Sequence, residues 1–114
     1  MKPTRWLGLG SADRSAHAAG ARAADEALAR DDAKLVIVFC SGLHDVTAVV
    51  RDVRSRTRDV PLIGCTTAGE IATMGPTDAG VVVVALGGDG FAVETAVATD
   101  ASRGMRQAGA GIAR

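Results

Sequence analysis

Three groups of residues have the types and spacing to do chemistry. The first is Gly8-Leu9-Gly10-Ser11. A glycine-bearing turn that opens a helix can cradle an anion, because first-turn N–H groups and the helix dipole favour negative charge. The spacing falls short of a dinucleotide fingerprint. Asp13 takes the third glycine position, and its carboxylate would repel a pyrophosphate. No Gly-Lys-Ser/Thr occurs, which excludes a P-loop. The plain alternative is a tight strand-to-helix turn.

The second group is Cys40, Cys65, His17 and His44. Neither histidine has another His or Cys at metal-ligand spacing beyond the lone Cys40/His44 pair, so no metal site is expected. Either cysteine could pair with His44 as nucleophile and base. Each cysteine also closes an apolar run, as a buried small hydrophobe would. Two cysteines make no disulfide framework.

The third group is the segment Gly64-Cys65-Thr66-Thr67-Ala68-Gly69-Glu70-Ile71. It leaves a predicted strand at its carboxyl end, the edge of an open α/β sheet where small ligands bind. It offers two hydroxyls, a thiol, a carboxylate and small residues that let a ligand approach the main chain. Those groups suit a small polar molecule. Equally, Thr66 and Thr67 could satisfy their own backbone in a strand-to-strand crossover.

The elements that must position these groups are legible in outline. Arg5 to Gly10 reads as a first strand, Ser11 or Asp13 as a cap, and Arg14 to Arg30 as an alanine-faced helix. Lys34 to Cys40 is continuous in apolar and β-branched residues, the pattern of a mid-sheet strand buried on both faces. A second helix follows from His44 or Asp45 to Arg58, with Val46, Val49, Val50 and Val53 inward. Pro61 opens a third strand, Leu62 to Cys65. Met74 to Thr77 reads as a turn and Ala79 to Leu86 as a buried strand. Gly87-Gly88-Asp89-Gly90 has hairpin chemistry. Phe91 to Thr99 alternates as a half-exposed edge strand. Asp100 caps a last helix, Ala101 to Arg114, weakened by three glycines. The fold class is α/β. A mixed β-sheet flanked by helices runs β-α-β-α-β, then antiparallel strands, then a terminal α-helix.

Composition narrows the function. The chain has 114 residues, which suits one domain. Lys and Arg number 13, as do Asp and Glu, so the net charge is zero. A neutral chain has no electrostatic footprint for nucleic acid or anionic lipid. With no Tyr, one Trp and two Phe, base stacking is a poor mode of binding. The apolar runs are too short to span a bilayer. The start lacks the apolar stretch of a signal peptide, so a cytoplasmic location is expected. Alanine makes up about a fifth of the chain and arginine far outnumbers lysine, a bias read here as genomic composition.

Gly64 to Ile71 follows Val60-Pro61-Leu62-Ile63 and precedes the strand Gly80 to Leu86 and the turn Gly88-Asp89-Gly90. This arrangement resembles the amino-terminal FIST domain, and Leu35 to Ser41 resembles that domain's strand before its second helix. The resemblance spans nearly the whole chain, and the loop is its most specific part. It implies a sensory domain of signal transduction that binds a small-molecule ligand, an amino acid or similar metabolite. Cys65, Thr66, Thr67, Gly69 and Glu70 match the loop and become candidate ligand contacts. The family supplies no catalytic residue and no cofactor. Family chains are longer, with a carboxyl-terminal FIST region and often signalling domains. These are the implied partners, beside a homo-oligomer, and the present chain is then a fragment or a minimal form. Two other readings remain open: an interaction or oligomerisation module without its own ligand, and a thiol-dependent enzyme using Cys65.

Overall fold

The computed structural model describes residues 2–13, 18–68, 70–72, 75–77 and 80–113. Among the described residues ten elements follow one another: β1 (Trp6–Ala12), α1 (Ala19–Ala27), β2 (Ala33–Ser41), α2 (Val46–Thr57), β3 (Leu62–Thr67), β4 (Glu70–Ala72), β5 (Gly75–Thr77), β6 (Val81–Gly87), a 3-10 turn (Ala101–Arg103) and α3 (Met105–Ala113). The result is the expected mixed α/β fold. A four-stranded sheet has the order β1-β6-β2-β3, and β4 and β5 form a separate antiparallel pair.

β2 and β3 are parallel, whereas β6 runs antiparallel to both of its neighbours, β1 and β2. β1 and β2 therefore point the same way with β6 inserted between them. That insertion explains why Phe91 to Thr99 forms no strand. A hairpin partner for β6 would need a free edge, and β1 and β2 already occupy both. The alternation is real, but Val97 is left 89% exposed.

Helices α1 and α2 pack against each other and cover one face of the sheet. Val36, Val38 and Cys40 of β2 and Val81, Val83 and Ala85 of β6 are buried there with Ala23, Ala24, Ala27, Val49 and Val53. Strand alternation sends the intervening side chains to the opposite face. Across that face the register aligns Leu9, Val84, Ile37 and Ile63 in one row, with Leu7, Leu86 and Leu35 in the next. Leu7 is 65% exposed and Ile63 46%. The apolar continuity of Lys34 to Cys40 thus reflects two apolar faces, of which α1 and α2 cover one.

Gly8 and Gly10 lie inside β1, not in a turn. A Cβ on Gly8 would overlap the carbonyl oxygen of Ala27, and one on Gly10 that of Ala23. These glycines let the α1 backbone rest directly on the strand. Ser11 is a strand residue, so it caps nothing. Ala18 precedes α1 in the left-handed region (φ 51°) without a side-chain cap. Residues 14–17, His17 among them, lie outside the described residues. Asp45 does cap α2, accepting from the N–H of Ala48 at 3.2 Å. At the far end, Asp100 adopts φ 56° and makes no side-chain cap. Gly104 separates the 3-10 turn from α3, none of whose residues is buried.

The chain start is pinned beside the end of β6. Asp89 Oδ1 accepts from the Thr4 N–H at 2.6 Å and the Thr4 hydroxyl at 3.0 Å. The backbone N–H first, then the hydroxyl, hold the Asp89 carboxyl below its ordinary value. A depressed carboxylate stabilises the fold above the ordinary Asp pKa of about 3.9 and loses that contribution as pH falls through the folded value. Asp89→Asn is therefore expected to flatten the acid limb of stability below about pH 4. Urea midpoints measured against pH test this; parallel limbs for the two proteins count against it.

Candidate ligand site at the carboxyl edge of the sheet

The parallel pair β2/β3 sets the geometry. Its register places Phe39 beside Cys65, Cys40 beside Thr66 and Ser41 beside Thr67. The chain leaves β2 through Ser41, whose Oγ accepts from the Leu43 N–H at 3.1 Å and whose carbonyl accepts from the His44 N–H at 3.1 Å. This tight turn brings the amino end of α2 to the same edge as Thr66 and Thr67. First-turn N–H groups and the dipole make that end weakly positive. Ser41 is absent from the sequence-derived contacts. Its signal was a small polar residue closing a buried strand just before a cap.

β3 runs two residues further than expected, through Thr67. In extended backbone, neighbouring side chains point to opposite faces. Thr66 therefore shares the helix face with Gly64, while Cys65 and Thr67 lie on the other. Cys65 and Thr66 are exposed and Thr67 is half-buried. Glu70 begins β4, where its backbone pairs with Thr77. Gly69 lies outside the described residues. The strand thus gathers Cys65, Thr66 and Thr67 along one edge, but splits their side chains between two faces.

Both cysteines are free. Cys40 is 3% exposed in the helix-side core, which withholds its thiol from a substrate. Cys65 is exposed, not the buried hydrophobe its apolar run suggested, because β3 is an edge strand. Among the described residues no group of three or more His, Cys, Asp and Glu could hold a metal ion. Nor, among them, is any helix long and apolar enough to cross a membrane.

A cleft of about 860 Å³ opens at the opposite edge, where α1 and α2 end and β2 and β3 begin. Leu28, Arg30, Lys34, Arg56, Thr57 and Val93 line it. Arg56 Nε bonds Asp25 Oδ1 at 2.9 Å, joining the two helices across its wall. Arg54 donates to the carbonyls of Arg58 (2.9 Å) and Val60 (2.7 Å), closing the carboxyl end of α2. None of the sequence-derived contacts lines this cleft.

A family model described as the FIST N domain matches residues 34–114. Its span takes in β2, α2, the edge described above and β6. No curated protein matches. Among solved structures, an FtsZ W319Y mutant from M. jannaschii is 18% identical with a TM-score of 0.49, covering 74% of this chain and 27% of that one. An FtsZ dimer from M. jannaschii, empty, is 16% identical with a TM-score of 0.42, covering 82% and 34%. The chain spans about a quarter to a third of the length of those proteins.

Proposed function

The chain belongs to the FIST N domain family, and from that premise we propose that it is a small-molecule sensing domain of intracellular signal transduction whose ligand is an amino-acid-like metabolite. The family is consistent with a sensory rather than a catalytic role. The observation that carries the placement of the ligand is the convergence of Thr66, Thr67 and the amino end of α2 on one sheet edge. Backbone N–H groups near Thr66, Thr67 and Gly69 would donate to the ligand carboxylate. The Glu70 carboxylate would accept from its ammonium group, a charge-assisted bond. Thr66 and Cys65 would flank the ligand from the two sides of the strand.

Calorimetric titration with a panel of amino acids and related amines tests this. Glu70→Gln is expected to weaken an amine ligand by about tenfold or more, the worth of a hydrogen bond to a charged group. Ligands lacking the ammonium should be unaffected. Equal affinity of both proteins for the amine would remove Glu70 from the site. A folded chain that binds no member of the panel would favour an interaction module without its own ligand.

A further inference from the structure

We infer that the cleft between the carboxyl ends of α1 and α2 and the starts of β2 and β3 is a binding site in its own right, and that it takes a small aliphatic carboxylate. Its volume of about 860 Å³ lies in the range of small-molecule sites, about 300–1,000 Å³. Leu28, Val60, Pro61 and Val93 line it, and all four are half-buried. Val93 belongs to residues 91–99, which form no strand. That segment contributes wall to the cleft instead of an edge to the sheet. The inference does not depend on the proposed amino-acid-like ligand, which would lie at the carboxyl edge.

Two neighbouring residues of the wall carry costs that the fold alone does not explain. Thr57 is 3% exposed, and its Oγ1 has no hydrogen-bond partner among the described residues. Buried hydroxyls are nearly always partnered. A helical threonine has two accessible χ1 rotamers, so this hydroxyl can be turned to a ligand. Arg58 adopts φ 55° and ψ −114°, a conformation that glycine normally supplies. Arg54 holds it there: the Arg58 N–H donates to the Arg54 carbonyl at 3.0 Å, and Arg54 donates to the Arg58 carbonyl at 2.9 Å. Glycine would serve the turn without strain, whereas arginine adds a guanidinium to the cleft. Strain of this kind clusters at ligand clamps.

Charge and shape select the ligand class. Among the described residues four cations line the cleft, Arg30, Lys34, Arg56 and Arg58, against three carboxylates, Asp25, Asp31 and Asp59. Arg56 and Asp25 neutralise each other across the wall. One positive charge is left over, which a single carboxylate balances and a phosphate monoester overshoots. A guanidinium pairs with a carboxylate through two parallel bonds. Arg54 covers the carbonyls beyond α2, whose partial negative charge would otherwise oppose an anion. No aromatic ring is among the described lining residues, so the apolar wall suits an aliphatic body rather than a flat one.

Calorimetric titration of the 114-residue chain with hexanoate tests this. Hexylamine has the same body and the opposite charge; acetate has the charge and almost no body. Hexanoate is expected to bind about tenfold more tightly than either. Arg58→Gly should weaken hexanoate by about tenfold or more, the worth of a hydrogen bond between charged groups. It should also raise the thermal midpoint, because glycine relieves the positive φ. Thr57→Val should weaken hexanoate by about fivefold without lowering the midpoint. Affinity lost while stability is kept or gained is a pairing that a merely structural residue does not show. Arg51→Gln removes a charge from α2 outside the cleft and should leave the affinity unchanged. No binding of hexanoate overturns the inference, as does equal binding of hexylamine or acetate. So does unchanged affinity in Arg58→Gly or Thr57→Val. A loss in Arg51→Gln as large as that in Arg58→Gly would trace binding to net charge and overturn it too.

Discussion

Replacing Gly10 by alanine is expected to lower the thermal midpoint by roughly 15 °C, although the change adds a single methyl group. The added Cβ would overlap the carbonyl oxygen of Ala23 and crowd the backbone nitrogen of Ala27. These are main-chain atoms inside α1, so no side chain can rotate aside. The helix must lift, and it also packs on α2: a Cβ at Gly20 would already crowd Val49 and Val53. Lifting α1 therefore loosens its contacts with both β1 and α2. Overpacking of this kind costs about 3 kcal/mol. Gly42→Ala is the control, since nothing lies within 4 Å of a Cβ there and its φ is not positive. Thermal unfolding of the three proteins reads the effect. A Gly10→Ala midpoint equal to that of Gly42→Ala would mean that α1 does not rest on β1 as described.

The same contact shows what the sequence could and could not convey. Gly8 and Gly10 look like a turn when read as a motif. Read with a period of two, they join Trp6 and Ala12 on one face of a strand. Ala23 and Ala27 are four apart on a helix, so the two small-residue spacings match across the interface. The alanines taken as genomic bias are the surface that makes close packing possible. By contrast, Lys34 to Cys40 and Val81 to Leu86 were legible because β-branched residues in an unbroken run leave few alternatives to a central strand. Phe91 to Thr99 failed for a reason outside its own residues. Its alternation is that of a strand, but β6 has no free edge to receive it.

The candidate site was legible by composition and obscured in geometry. Gly64 to Ile71 was recognised as polar, small and placed at a carboxyl edge. That β3 would continue through Thr66 and Thr67 could not be read from residues that suit a turn and a strand alike. The continuation depends on pairing with Cys40 and Ser41, which is a property of the neighbour. It decides that Thr66 faces the α2 side while Cys65 faces the other. One segment thereby divides its side chains between the two faces of the sheet at the edge proposed for ligand.

Thr57→Val is expected to raise stability by about 1 kcal/mol, or roughly 5 °C in midpoint. Thr57 is the last residue of α2 and is 3% exposed. Its Oγ1 finds no hydrogen-bond partner among the described residues. A buried hydroxyl without a partner forfeits the hydration it had in the unfolded chain. Valine keeps the β-branched shape and the rotamer restriction and replaces that hydroxyl by a methyl group. The helix end does not depend on the side chain. The Thr57 carbonyl accepts from the Val60 N–H at 3.1 Å, and Arg54 holds the carbonyls beyond it. Thr57→Ser separates the two contributions, since it keeps the hydroxyl and loses the methyl group. The expected order of stability is valine, then threonine, then serine. If valine instead falls below threonine, the hydroxyl is satisfied in solution from the side of the cleft that Thr57 lines, and that cleft then holds a polar partner at its floor.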